Sequence, residues 1–221
     1  MATWVTHFRI AEELLKREWP VSPIEFLVGN IGPDCGLIGE DGIPRPPKSV
    51  THFKTDGRIN PESFYNQYLD HEVESSSPES SYYLGYYIHL VTDEEWVNLL
   101  KRKKQEKVYQ EILNTPEYTS LVKKDWYGLD FLYLKDHKDT IFWNEFQHIT
   151  EFPEYLRFFP KGQTLEQIQN ITRFYHTSTI PENHKFIYLS AQEVDEFVDL
   201  IVKKVMGLLN QRVVNVRSSH A

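Results

Sequence analysis

Five residues of this chain, His7, Asp34, His52, His89 and Asp93, carry side chains that bind metal ions or move protons, and each stands in a setting poorly suited to a bland role. His89 and Asp93 are the sharpest pair. They lie four residues apart in YYLGYYIHLVTDEEW, which reads as helix, so both side chains leave one face a turn apart in chelating geometry. The same stripe holds Tyr82, Tyr86, Trp96 and Leu100, which places a carboxylate inside an aromatic and apolar row. An ionised Asp in such a row is costly unless a cation or a full set of donors satisfies it. A metal ion would do so, and neutral imidazole is the commonest partner ligand.

The elements that must position these residues follow from periodicity. Phe8, Ala11, Leu15 and Trp19 recur at helical spacing, which predicts a helix from about Thr6 to Arg17 with Thr6 as N-cap, Pro20 past its end and His7 in its first turn. Ile24 to Asn30 is a short apolar segment running into a stretch with five glycines and four prolines between Gly29 and Pro47. That stretch reads as a long ordered loop or a lid, bracketed by Asp34 and His52. Asn60 before Pro61 starts a helix with Phe64, Tyr65 and Tyr68 on its apolar side. A polar connection follows over Glu72 to Ser81. Ser77 before Pro78 then opens the long helix bearing His89 and Asp93, which ends near Lys104.

Further helices are expected over residues 106–114, 116–135 and 140–149, and behind two capping boxes, Thr164 to Gln167 and Ser190 to Glu193. The last helix has Val194, Phe197, Ile201, Val205 and Leu208 as its buried stripe. Strand alternation is nearly absent apart from Phe186 to Leu189, no internal repeat is visible, and the end, RSSHA, reads as a frayed tail. The expected class is all-α, in one domain over residues 1–221.

Composition narrows the function classes. A net charge of −8 argues against generic nucleic-acid binding and against adsorption on anionic lipid. The single cysteine, Cys35, rules out an intrachain disulfide framework, so a metal site must rely on nitrogen and oxygen ligands apart from that thiol; zinc, manganese or iron suits such a set. No run of 18 or more apolar residues occurs and no export signal is visible, so a soluble, cytoplasmic protein without a transmembrane segment is expected.

At the five residues the sequence resembles the zinc-dependent phospholipase C family, which shares its helical fold with the S1/P1 nucleases. THFRIAEELL resembles the family helix that opens with a metal-binding histidine, here His7; GNIGPDCG resembles the loop that supplies a metal-binding aspartate, here Asp34. VTHF offers His52 as the next histidine, and YYLGYYIHLVTD resembles the helix bearing the H-x-x-x-D pair, His89 and Asp93. The resemblance covers roughly the first hundred residues. Two family features are unmatched: position 99, where a further histidine would stand, is Leu, and no H-x-x-x-E pair occurs downstream. Trp4 is also internal, behind Met-Ala-Thr, where the family places its terminal amine beside a Trp.

The resemblance therefore implies a multi-helix bundle with long loops, one or two zinc ions, with manganese or iron as substitutes, and hydrolysis of a small-molecule or lipid phosphoester by metal-activated water. With two ions Asp93 is the natural bridge; with one, Asp34 could stay free as general base. An alternative is a non-catalytic helical metal-binding or interaction protein that has lost part of the family's site. A nuclease reading is weighed down by the acidic balance.

Each residue also has a plainer reading. A lone histidine on an apolar helix face is usually a satisfied core residue, and Asp34 between Pro33 and Gly36 could simply close a turn. His52 and Asp56 form a second H-x-x-x-D. His148 is a spare ligand or acid/base candidate whose plain reading is a helix-end histidine, and Asp125 and Asp130 are further carboxylates that could lie close to the five. Phe158 and Phe159 could form a lipid-contact loop or pack into the core, and Lys101 to Lys104 reads as a solvated helix end.

Overall fold

The computed structural model describes residues 1–17, 19–70 and 76–219, the last seven as backbone only. Ten α-helices run along it: α1 (Trp4–Leu15), α2 (Pro23–Gly29), α3 (Lys48–Thr51), α4 (Pro61–Tyr68), α5 (Pro78–Lys103), α6 (Lys107–Gln110), α7 (Tyr118–Asp136), α8 (Ile141–Asn144), α9 (Gln163–Thr177) and α10 (Ala191–Ser219). The strands among the described residues are two short antiparallel hairpins, β1 (Leu37–Ile38) with β2 (Pro44–Arg45) and β3 (Lys54–Thr55) with β4 (Arg58–Ile59). The all-α expectation is met at the level of class.

Helix α5 is the axis of the molecule. Every residue from Ser80 to Asp93 is buried, so this half of the helix is enclosed on all sides rather than along one stripe. Ser77 caps it by accepting from the Ser80 amide, as its place before Pro78 predicts. Helix α2 makes the most extensive helix–helix packing against α5, and two glycines allow it. A Cβ on Gly85 would lie 2.2 Å from the Phe26 carbonyl oxygen, and one on Gly29 would lie 2.2 Å from that of Tyr82. Ridge-into-groove packing gives way here to near contact of two backbones.

Around this axis one apolar core extends from Ala2 to Leu209. Val194, Phe197, Ile201 and Val205 of α10 are buried in it, Leu208 only partly, and Trp96 of α5 meets Phe197 and Trp126 edge to face. Phe159 is buried and Phe158 packs on its ring, so that pair belongs to the core.

Several local expectations need correction. Helix α1 starts at Trp4, not Thr6, because Thr3 takes the N-cap position and Thr6 is buried inside the first turn. The Gly/Pro stretch contains a 3-10 turn, Gly32–Asp34, and the β1–β2 hairpin, held by a side chain from far along the chain. Gln163 Nε2 donates to the carbonyls of Cys35 and Arg45, each at 2.7 Å. The Thr164 to Gln167 capping box does not form, since Glu154 accepts from both the amide and the hydroxyl of Thr164. The Ser190 to Glu193 box forms reciprocally.

The expected helix over 106–114 shrinks to α6, and that over 140–149 splits into α8 and a 3-10 turn, Phe146–His148. Phe186 to Leu189 is irregular: the carboxylate of Asp125 accepts the amides of Ile187 and Tyr188 that a strand partner would have taken. The polar connection stops at Ser77, and its residues 72–75 lie outside the described residues. The expected tail from Arg217 continues as helix to Ser219, with 220 and 221 outside the described residues.

Candidate functional site

The first helix delivers His7 from its opening turn, where residues 3 to 8 are buried apart from the half-buried Trp4. Asp34 ends the 3-10 turn that follows α2, and Cys35, buried behind it, anchors the turn through its thiol to the Ile31 carbonyl. His52 stands at the C-cap of α3, one residue before Phe53, whose backbone turns into the left-handed region at φ 46°. Phe53 can hold that conformation because its ring is locked edge to face against Phe64, Tyr68 and Tyr86. The Tyr86 hydroxyl also donates to the Thr51 carbonyl, tying α3 to α5. His89 and Asp93 project from α5 one turn apart.

All five side chains meet at one place. Asp93 Oδ2 lies 3.3 Å from His89 Nε2 and 3.4 Å from His52 Nε2, and Oδ1 lies 3.6 Å from His7 Nε2. Asp34 Oδ1 is 3.6 Å from His52 Nε2. The rings of His7 and His89 stack at 3.9 Å with parallel planes. Two groups, His7/His89/Asp93 and Asp34/His52/His89, each hold one ligand atom per residue within 4.8 Å of one another, and His89 belongs to both. His7, His52, His89 and Asp93 expose none of their side chains, whereas Asp34 exposes 10%.

Atoms without partners converge on the centre. Both ring nitrogens of His7, the Nε2 atoms of His52 and His89, and Asp93 Oδ2 are buried and make no hydrogen bond. Buried polar atoms left unpaired cost roughly 1–3 kcal/mol each. Their nearest polar neighbours are one another, at 3.3–3.6 Å across the centre, so these groups can share a proton or hold a cation there. The outer contacts fix the orientation: the Asn30 carbonyl can only accept, so His89 donates to it from Nδ1 at 2.8 Å and turns Nε2 inward. Thr51 Oγ1 lies 3.0 Å from His52 Nδ1 and holds that ring in place, as a hydroxyl that can donate or accept.

Electrostatics divide the five. Burial lowers His7 from 6.5 to about 4, with His89 adding to the effect, and burial also lowers His52, so both rings are neutral donors of a lone pair at neutral pH. Burial opposes a charge on His89 as well, but Asp93 beside it prevails and raises it. Burial works against Asp93, yet His89, His52 and His7 hold its carboxyl well below the usual carboxylate range. For Asp34 burial is outweighed by Lys48, with His89 and His52 assisting, and the group is lowered.

Further contacts had no signature in the sequence. The Ala2 amide donates to Asp93 Oδ1 at 2.7 Å, Trp4 Nε1 donates to Asp34 Oδ2 at 3.1 Å, and Lys48 Nζ approaches Asp34 Oδ1 at 3.4 Å. The spare candidates are elsewhere. His148 is exposed against Gln147, Asp56 is exposed in the β3–β4 turn, and Asp125 is engaged by His184 at 2.7 Å. Asp130, buried, accepts from Thr3 and Tyr175. On its Asp34 side the cluster meets a cleft of about 730 Å³. No family profile, curated protein or solved structure matches this chain.

Proposed function

We propose that the five-residue cluster binds a divalent transition metal and that the protein is a metal-dependent phosphoester hydrolase, similar in its site to the zinc-dependent phospholipases C. The observation that carries the metal is the convergence of unpartnered buried atoms from three imidazoles and one carboxylate. The donor set, three nitrogens and two carboxylates, suits zinc first, with manganese or iron as substitutes. Because the residue common to both ligand groups is His89, whose free nitrogen carries a single lone pair, a single ion is the simpler occupancy.

When bound, such an ion polarises a phosphoryl oxygen and lowers the pKa of water to roughly 7. The chain supplies the rest. His7, His52, His89 and Asp93 exclude bulk solvent and fix position. Asp34 alone faces the cleft, held ionised between Lys48 and Trp4, and is placed to accept a proton from an incoming water. A second reading, an ion kept for structure alone, is favoured by the complete burial of the other four ligands.

Elemental analysis of metal per chain, on wild type and on His89→Ala and Asp93→Ala, tests the core of this. About one equivalent in the wild type and none in either variant is expected, followed by turnover of p-nitrophenyl phosphate or its bis-ester in the wild type only. Unchanged metal content in both variants removes the assignment. Full metal content without turnover of either ester selects the structural ion.

A further inference from the structure

Resting on the hydrolase reading, we infer that Lys48 and Lys123 are the substrate's anion-binding residues, and that the 730 Å³ cleft beside Asp34 is built for a small molecule carrying a phosphate group. Both lysines line that cleft, Lys48 from α3 and Lys123 from α7, two segments brought together only by the fold. Lys48 Nζ stands at the mouth of the cluster, 3.4 Å from the one site carboxylate that reaches solvent. Lys123 is exposed and has no ion-pair partner among the described residues. A cation without a carboxylate partner, lining the cleft of a strongly acidic protein, is available to an incoming anion.

The rest of the wall suits the organic part of such a molecule. Trp4, Trp126 and Tyr127 contribute aromatic surface, and a cleft of this volume falls in the range of small-ligand sites. Lys48 and Lys123 therefore recognise the phosphate, set against Asp34 and Glu166, the two carboxylates that line the same cleft, and the aromatic side chains accept the group esterified to it. Lys124 is the internal control. It is the next residue of α7 and also exposed, but it does not line this cleft.

The test is binding of inorganic phosphate, followed calorimetrically, to zinc-loaded wild type, Lys48→Ala, Lys123→Ala and Lys124→Ala, with zinc content measured on each sample. Saturable phosphate binding in the wild type, weakened about fivefold in Lys48→Ala and in Lys123→Ala but not in Lys124→Ala, at equal zinc content, is the expected result. Equal affinities across all four proteins, or an equal loss in Lys124→Ala, overturn the lysine assignment and leave the metal site standing. Failure of the wild type to take up zinc overturns the metal reading, and this one with it.

Discussion

Asp130 is tied through Thr3 to the segment that carries His7, and its chemistry is opposite in sign to that of the cluster carboxylates. Burial raises its carboxyl to about 7, although the hydroxyls of Tyr175 and Thr3, donating at 2.6 and 2.7 Å, pull the other way. The folded state therefore holds a proton on Asp130 that the unfolded chain releases near pH 4. With the folded value above the unfolded one, this group's contribution to stability is fully present below about pH 4 and is lost as pH rises through 7. Asp130→Asn keeps the shape and discards the titration. Between pH 5 and pH 8 the variant should gain on wild type by an amount on the order of 3 kcal/mol, measured by urea unfolding at both pH values. Parallel pH profiles for the two proteins would mean that Asp130 is ionised in the folded state. Because Thr3 lies in the segment that carries Ala2, Trp4 and His7, the same measurement reports on the support beneath the cluster.

Among the elements, the contact of α2 with α5 matters most, since the Asn30 carbonyl that orients His89 and the turn that ends in Asp34 both follow α2 directly. Gly85→Ala forces a methyl group to 2.2 Å from the Phe26 carbonyl, against backbone that cannot rotate away. A loss of about 1–3 kcal/mol is expected from overpacking, together with weaker metal uptake as α2 is pushed outward. Lower stability with wild-type metal affinity would show that the cluster does not depend on this crossing. The crossing also marks how far the sequence can be read. His89 and Asp93 were legible because an i, i+4 pair lies within one element, and Ser77 and the Ser190 to Glu193 box were legible because caps are local. His7, Asp34 and His52 come from three other segments, and only their resemblance to an ordered ligand set joined them before the geometry did. Gln163 reaching Cys35, Glu154 capping α9 and the Ala2 amide on Asp93 were not legible, because each pairs residues that no short-range rule connects. The 3-10 turn and hairpin inside the Gly/Pro stretch are closed by local bonds such as Cys35 to Gly32 and Gly39 to Ile43, but a run of glycines and prolines offers no periodicity from which to read them.

At the scale of the molecule, the C-terminal half supplies none of the five cluster residues, yet it closes the structure that holds them. Helix α10 packs on α1 and α5, and Gln163 of α9 pins the loop between Asp34 and His52. The cluster therefore exists only when α1, α2, α3 and α5 are assembled, and an ion that binds it binds the folded state alone. Linkage then fixes the consequence. Free zinc at 100 times its dissociation constant adds about 2.7 kcal/mol to the unfolding free energy. For a chain of 221 residues that raises the thermal midpoint by roughly 5–10 °C. The shift should vanish on adding a chelator and be absent in Asp93→Ala, whose own midpoint reports the cost of the lost carboxylate. Thermal unfolding of chelator-treated protein with and without zinc, manganese or ferrous iron measures it. A midpoint that none of the three ions moves means that the three imidazoles and two carboxylates satisfy one another, with His89 sharing its proton with Asp93, and that the cluster is a buried polar network rather than a metal site.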